Sequence, residues 1–345
     1  MRQEDISVVI PVYKVDELLL RRCIDSVCCQ RLSGPKVRVI LVADGEEENK
    51  ALLESDLVNE CDGVKWLVVP HGGAAAARNA GIAAAKGEFV VFVDSDDYLP
   101  PNALNALWEA MGRTGASFVM ANHSRAYAGR TERVTLFAGE CDWDQDNTSE
   151  IIKILLSSGT DAATVWGKMF RLDFLKVHQL KFKTDLSNGE DQEFMIRCAQ
   201  QATKIAAIPD DVYTYVYNAG SSVRAFNHNY VRDVEATIRT IGDDLGVTDS
   251  DDGRGTVFWD YCLDRLLLIV INYVFNPASG FSAKQRKDAF FEVRQLCPFQ
   301  EALKESDLRS FSPARKVVLK LIESGAYERV RAIAGLRHLQ LRMGR

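Results

Sequence analysis

Residues 64–97 read VKWLVVPHGGAAAARNAGIAAAKGEFVVFVDSDD. Two apolar runs, Val64–Val69 and Phe89–Val93, flank a stretch from Ala74 to Ala85 built mostly of alanine, the strongest helix former. The runs are nearly continuous in apolar residues, as in strands covered on both faces of a mostly parallel sheet. The second run ends on Asp94, Asp96 and Asp97. Like charges at that spacing repel and raise one another's proton affinity unless a positive group gathers them. An all-oxygen set favours magnesium or manganese over zinc. A turn and helix cap ahead of Pro100 would need only one aspartate, so a metal contact is the expectation for three.

The same alternation extends toward the N-terminus. Ile6–Val12 and Val37–Val42 are two further apolar runs, and Asp16–Cys29 puts Leu19, Leu20, Cys23, Ile24 and Val27 on one helical face. Strand and helix in turn predict an α/β domain with right-handed crossovers, whose ligands bind beyond the carboxyl ends of the strands. Those ends carry Pro11-Val12-Tyr13, Ala43-Asp44-Gly45 and the Asp94–Asp97 turn. After Ser117 the pattern weakens to short strands at Ser117–Ala121, Arg133–Phe137 and Val212–Tyr217, with helices at Ser149–Ser157 and Glu190–Gln201. Beyond Arg224 it is helical almost throughout. Two domains are expected, 1–223 and 224–345.

Composition narrows the class. The chain has 345 residues and a net charge of −6, against the basic surface of a dedicated nucleic-acid binder. Its start lacks the order of a signal peptide, and no run of about 18 uncharged apolar residues occurs. A cytoplasmic, non-spanning protein is the expectation, with its eight cysteines as buried reduced thiols. Asp249–Asp252 repeats the D-S-D-D string but follows no strand and reads as a solvated loop. Asp142, Asp144 and Asp146 alternate like a calcium loop, yet the required Gly and Glu are Asn147 and Lys153, leaving a polar turn.

Taken together, ISVVIPVY, VILVADG and GGAAAARNAGIAAAKGEFVVFVDSDDYLPPNAL resemble the family 2 glycosyltransferases over residues 5–110, with a looser likeness through VWGKMFRLDFL and NGEDQEFMIRC. The resemblance implies a GT-A-type, Rossmann-like fold that binds a nucleotide sugar, with a smaller helical region after it. It also implies inverting transfer from a nucleoside diphosphate donor, of the UDP type, to a hydroxyl of a glycan or lipid-linked glycan in surface polysaccharide synthesis. Pro11, Val12 and Tyr13 would floor the base and Asp44 would accept a uracil imide N–H. Asp94 and Ser95 would lie at the ribose and diphosphate, and Asp96 with Asp94 would hold manganese or magnesium. Arg78 and Asn79 match the family's pair near the donor, expected to act from behind it. The family often has Asp-Asp-Gly-Ser where this chain has Ala43-Asp44-Gly45-Glu46.

The second acid pair, Glu190-Asp191, suits a helix N-terminus on charge alone. Its distance past the metal motif matches the family's catalytic acid, which makes Asp191 the candidate base and Glu190 its orienting neighbour. Trp166 and Lys168 are candidates for acceptor or phosphate contact, or equally a core tryptophan with a snorkelling lysine. Arg224 is a candidate to close over the diphosphate. A non-catalytic nucleotide-sugar binder is the alternative. A sugar-1-phosphate nucleotidyltransferase is disfavoured because PVYK lacks a glycine-rich loop. Finally, 311–345 holds eight Lys or Arg against two acids, with apolar residues from Val317 to Leu339 in a stripe. Such a tail lies on the inner face of an anionic membrane, or packs on the acidic catalytic domain or on a second subunit.

Overall fold

The four apolar runs become four parallel strands, β1 (Ile6–Val12), β2 (Val37–Asp44), β3 (Val64–Val69) and β4 (Phe89–Phe92). A computed structural model describes residues 5–58, 63–157, 159–217, 226–247 and 254–343. β1 lies between β2 and β4, and β3 pairs outside β2, all in parallel register. Helices cover these strands. The Glu17–Cys28 helix is capped by Asp16, whose carboxylate accepts from the Leu18 N–H, and it buries Leu20, Cys23, Ile24 and Val27. The Gly73–Ala84 helix sits unusually close to β1, because a Cβ on Gly81 would fall 2.2 Å from Val9 Cγ1.

Past β4 come β5 (Phe118–Tyr127), β6 (Arg130–Val134), β7 (Cys141–Asp144), β8 (Lys168–Arg171) and β9 (Lys204–Val216). The nine-stranded sheet runs β3-β2-β1-β4-β8-β5-β9-β7, with β6 paired to β5. β8 is inserted antiparallel between β4 and β5, whereas β5 and β9 are parallel. The sheet is therefore parallel in its first half and mixed in its second. The polar 142–146 segment is half strand: β7 contributes Asp142 and Asp144, and Asp144 caps the turn Gln145–Asn147 by accepting from the Asp146 N–H.

The chain divides into two compact units. The first comprises Met1–Leu155, Gly159–Asp185 and Glu190–Ser221 and carries the sheet; the second comprises Leu156–Ser158, Leu186–Gly189 and Ser222–Arg345 and is helical. The boundary expected near residue 223 falls outside the described residues, as do Arg224 and the Asp249–Asp252 string. In the second unit, the tail forms helices Pro313–Glu323 and Tyr327–Met343. Their apolar stripe is split, with Leu319, Ile322, Val330 and Ala334 buried while Val317 and Leu336 stay exposed. Among the described residues no helix is long and apolar enough to cross a membrane. The expectation of uniformly buried thiols is corrected: Cys23, Cys198 and Cys262 are buried, Cys29 and Cys297 are exposed, and Cys28 is in a disulfide.

Candidate active site

The loops after β1, β2 and β3 are tied into one platform. Asn49, buried, donates to the carbonyls of Asp44 (3.2 Å) and Gly45 (2.7 Å) and accepts from the Lys14 N–H (3.1 Å). Asp44 is buried as well. Its carboxylate accepts from the N–H groups of Gly72 (2.7 Å) and Gly73 (3.0 Å) and meets His71 Nδ1 at 2.9 Å. Three partners on one carboxylate fix the start of the Gly73–Ala84 helix, so Asp44 shapes the loop between β3 and that helix. Val12 points into the core and Pro11 is half-buried, which leaves Tyr13 as the exposed face. Its ring stacks on His71 with centroids 4.7 Å apart.

The turn after β4 is organised by a residue from β9. Tyr213 donates to Asp97 Oδ2 (2.6 Å) and accepts from the Asp94 N–H (3.1 Å). Asp97 also accepts from the Val216 N–H at 2.7 Å. It is wholly buried, and that burial, with Asp94 beside it, pushes its carboxyl well above the usual range. Asp97 therefore neither joins a metal shell nor caps the next helix; it anchors the turn to β9. Ser95 and Asp96 form the half-buried tip, with the Asp96 carbonyl held by Arg22 at 2.7 Å. Among the described residues no group of three His, Cys, Asp or Glu side chains stands ready for a metal ion. What the turn does offer is two carboxylates, Asp94 and Asp96. A hard cation bound through one or two carboxylates plus substrate phosphates fits that donor set.

Arg78 brings the two acid motifs together. From the Gly73–Ala84 helix its guanidinium, 5% exposed, reaches Asp94 Oδ1 (3.0 Å), Glu190 Oε1 (3.3 Å) and Asp191 Oδ1 (2.8 Å). Burial alone would make this cation easier to deprotonate, but the three acids outweigh it and raise its pKa. Asn79, next along, stays outside this junction: its amide brackets the Phe182 backbone with two 2.8 Å bonds. Glu190 and Asp191 open the Glu190–Gln201 helix, and Asp191 Oδ2 also accepts from the Val165 N–H at 3.4 Å. Burial pushes Asp191 up to about 7, against the pull of Arg78 and with added repulsion from Glu190 and Asp94. That value suits a base working near neutrality.

Below this junction, Lys168 is 2% exposed and donates to the Trp166 carbonyl at 3.3 Å. Burial lowers its ammonium to about 7, while Asp191 and Asp161 hold it up. Trp166 is also buried and stacks on Tyr213 at 4.4 Å. Both residues are thus floor rather than surface, set between the Asp94 turn and Asp191. The sequence reading missed Asn49 and the pinning role of Tyr213. The tyrosines of the last strand were the visible signal for the second; nothing marked the first.

The model of Glycosyl transferase family 2 matches residues 7–175. Glycosyltransferase GlyG of Streptococcus pneumoniae is 30% identical over 241 residues, which cover 67% of this chain and 77% of GlyG. The chain belongs to glycosyl transferase family 2. Another family relative is a poly(ribitol-phosphate) beta-glucosyltransferase of Bacillus spizizenii, 30% identical over 61% of this chain and 32% of its own length. EpsH of Bacillus subtilis, a putative glycosyltransferase by name, is 25% identical over 66% of this chain and 64% of its own. The chain thus spans between 32% and 64% of these two relatives. In three dimensions, residues 1–349 of S. aureus TarS, crystallised with UDP-GlcNAc, superpose with a TM-score of 0.70 at 16% identity. That match covers 97% of this chain and 92% of the TarS fragment, and it shows the shared GT-A fold.

Proposed function

We propose that this protein transfers a sugar from a UDP-type donor to an acceptor hydroxyl, inverting the anomeric centre. The observation that carries this is the Arg78 junction, which draws the Glu190-Asp191 pair to the turn bearing Asp94. A donor whose base lies against Tyr13 would run its diphosphate past Asp94 and Asp96, leaving the anomeric carbon near Asp191. Asp191 would take the proton of the acceptor hydroxyl as its oxygen bonds to the anomeric carbon and the bond to the diphosphate breaks. Asp94 and Asp96 would hold manganese or magnesium, which supplies neutralisation of charge on the diphosphate leaving group. Arg78 would keep Asp191 ionised and oriented between turnovers.

The acceptor would be a surface glycan or lipid-linked glycan, and the name of the poly(ribitol-phosphate) relative supports a polyol-phosphate polymer as one such class. A cytoplasmic setting at the membrane face suits such an acceptor, and the basic tail with Val317 and Leu336 exposed supports contact with anionic lipid. Co-sedimentation with anionic but not neutral vesicles tests that contact.

Transfer or hydrolysis across a panel of nucleotide sugars, with and without manganese, tests the activity. Asp191→Asn should lower turnover by about 10²–10⁴-fold while UDP binding survives. Turnover near the wild-type rate in that variant would overturn the assignment of the base.

A further inference from the structure

Asp161 lies in the loop before β8, outside every motif used so far, and its backbone adopts φ +55°. That left-handed conformation is uncommon for any residue but glycine, and it persists only where surrounding contacts enforce it. Here the contacts are concentrated on one oxygen. Asp161 Oδ2 meets His123 Nε2 at 3.2 Å and accepts from both Nε (3.1 Å) and Nη2 of Arg125. His123 and Arg125 project from the same face of β5, two residues apart, and His123 is buried against the edge of Trp166 with centroids 4.8 Å apart. These bonds hold the Asp161 carboxyl below its usual range, although burial alone would raise it.

The other end of this clamp faces the candidate base. The Asp161 carbonyl accepts from the Thr164 N–H (3.3 Å) and hydroxyl (2.8 Å), closing a tight turn. The next residue, Val165, is the one whose N–H reaches Asp191, and the one after is Trp166, stacked on the tyrosine that pins the Asp94 turn. Five consecutive positions of chain, Asp161 to Val165, therefore connect a rigid strand to Asp191.

We infer that Asp161 is a positioning residue for transfer: by clamping His123 and Arg125 it sets the turn whose Val165 N–H orients Asp191. This inference rests on the reading of Asp191 as the base. The hydrogen bond this turn makes to the site runs to Asp191, while the platform of Tyr13, Asp44 and His71 belongs to other loops, so the clamp bears on turnover more than on nucleotide binding.

The test compares Asp161→Asn and Asp161→Gly with wild type and with Asp191→Asn. Asparagine keeps the size and tolerates the backbone conformation but gives up the charge. Glycine relieves the strained φ while removing the clamp. Both variants should fold, checked by thermal melting, and should bind UDP within about twofold of wild type. Both should lose turnover by up to about 10²-fold, the order expected when a reacting group is misplaced by an ångström. Restoring the clamp distinguishes positioning from general damage: Arg125→Lys, which keeps a cation for Asp161, should lose less than Arg125→Gln. Full turnover in both Asp161 variants beside an inactive Asp191→Asn overturns the clamp alone. UDP affinity and turnover falling together would make Asp161 merely structural and also overturn it. An active Asp191→Asn overturns both the base and the clamp.

Discussion

Replacing Arg78 with methionine keeps much of the side chain's bulk and removes the one cation that three acids share. The consequence can be estimated at Asp191, which Arg78 contacts at 2.8 Å. Unit charges about 4 Å apart interact by about 4 kcal/mol at an effective dielectric near 20. Asp191 is 21% exposed, so solvent screening is allowed to halve this, to about 2 kcal/mol. At 1.36 kcal/mol per unit, that raises its pKa by about 1.5 units. Starting from about 7, the acid limb should move to the region of 8.5. At pH 7 the ionised fraction then falls about fifteenfold, before any loss of donor contact. The assay is the pH dependence of kcat/KM between pH 5.5 and 9.5, which reports the groups of the free enzyme. Activity of Arg78→Met should recover in part above pH 9. A limb that stays in place, or moves toward acid, would refute the view that Arg78 holds Asp191 ionised.

Three further outcomes follow from single contacts. Asp96→Asn should abolish metal-dependent UDP binding with little change in melting temperature; unchanged affinity in manganese would remove Asp96 from the donor site. Tyr213→Phe leaves Asp97 Oδ2 and the Asp94 N–H without this partner, at a cost of about 1–3 kcal/mol per unsatisfied group, and a thermal melt equal to wild type would contradict that pinning role. Lys168 has a depressed folded-state pKa, so the stability linked to it is full above about 10.5 and is lost as pH falls through about 7. Lys168→Met should therefore gain more melting temperature at pH 6 than at pH 9, and the reverse order would show that the ammonium is not buried at a cost.

The first four strands were legible because β1 and β4 are buried along nearly their whole length, which forces near-continuous apolar runs, and β2 and edge strand β3 keep such runs although Arg38, Lys65 and Val68 are open to solvent. β8 was not: Lys168-Met169-Phe170-Arg171 is four residues with a charge at each end. Only the neighbouring β4 and β5, 79 and 50 residues upstream at their starts, make it a central strand. Sequence spacing drew attention to the acids of the site for what they are, but not for what they touch. Asp96 and Asp97 are adjacent and chemically identical, yet one sits at the tip of the turn and the other is buried because Tyr213 and the Val216 N–H receive it. Lys168 was likewise open to a surface reading, since nothing local announces that a lysine will be enclosed. Arg78 stood out only by standing alone in an alanine helix; that it bridges residues 16, 112 and 113 positions away is a property of the fold.

The close seat of the Gly73–Ala84 helix carries a lesson for anyone redesigning this protein. Arg78 reaches its acids because Ala75, Ala77 and Gly81 leave the buried side of that helix nearly bare. Gly81 faces Val9, a rigid branched residue of the central strand that has nowhere to retreat. A methyl group there would lever the helix off the sheet and withdraw the guanidinium from a distance, without touching any residue a library would think to protect. Under the donor placement proposed above, new preference is better sought at the exposed ring of Tyr13, on which the start of that helix does not rest.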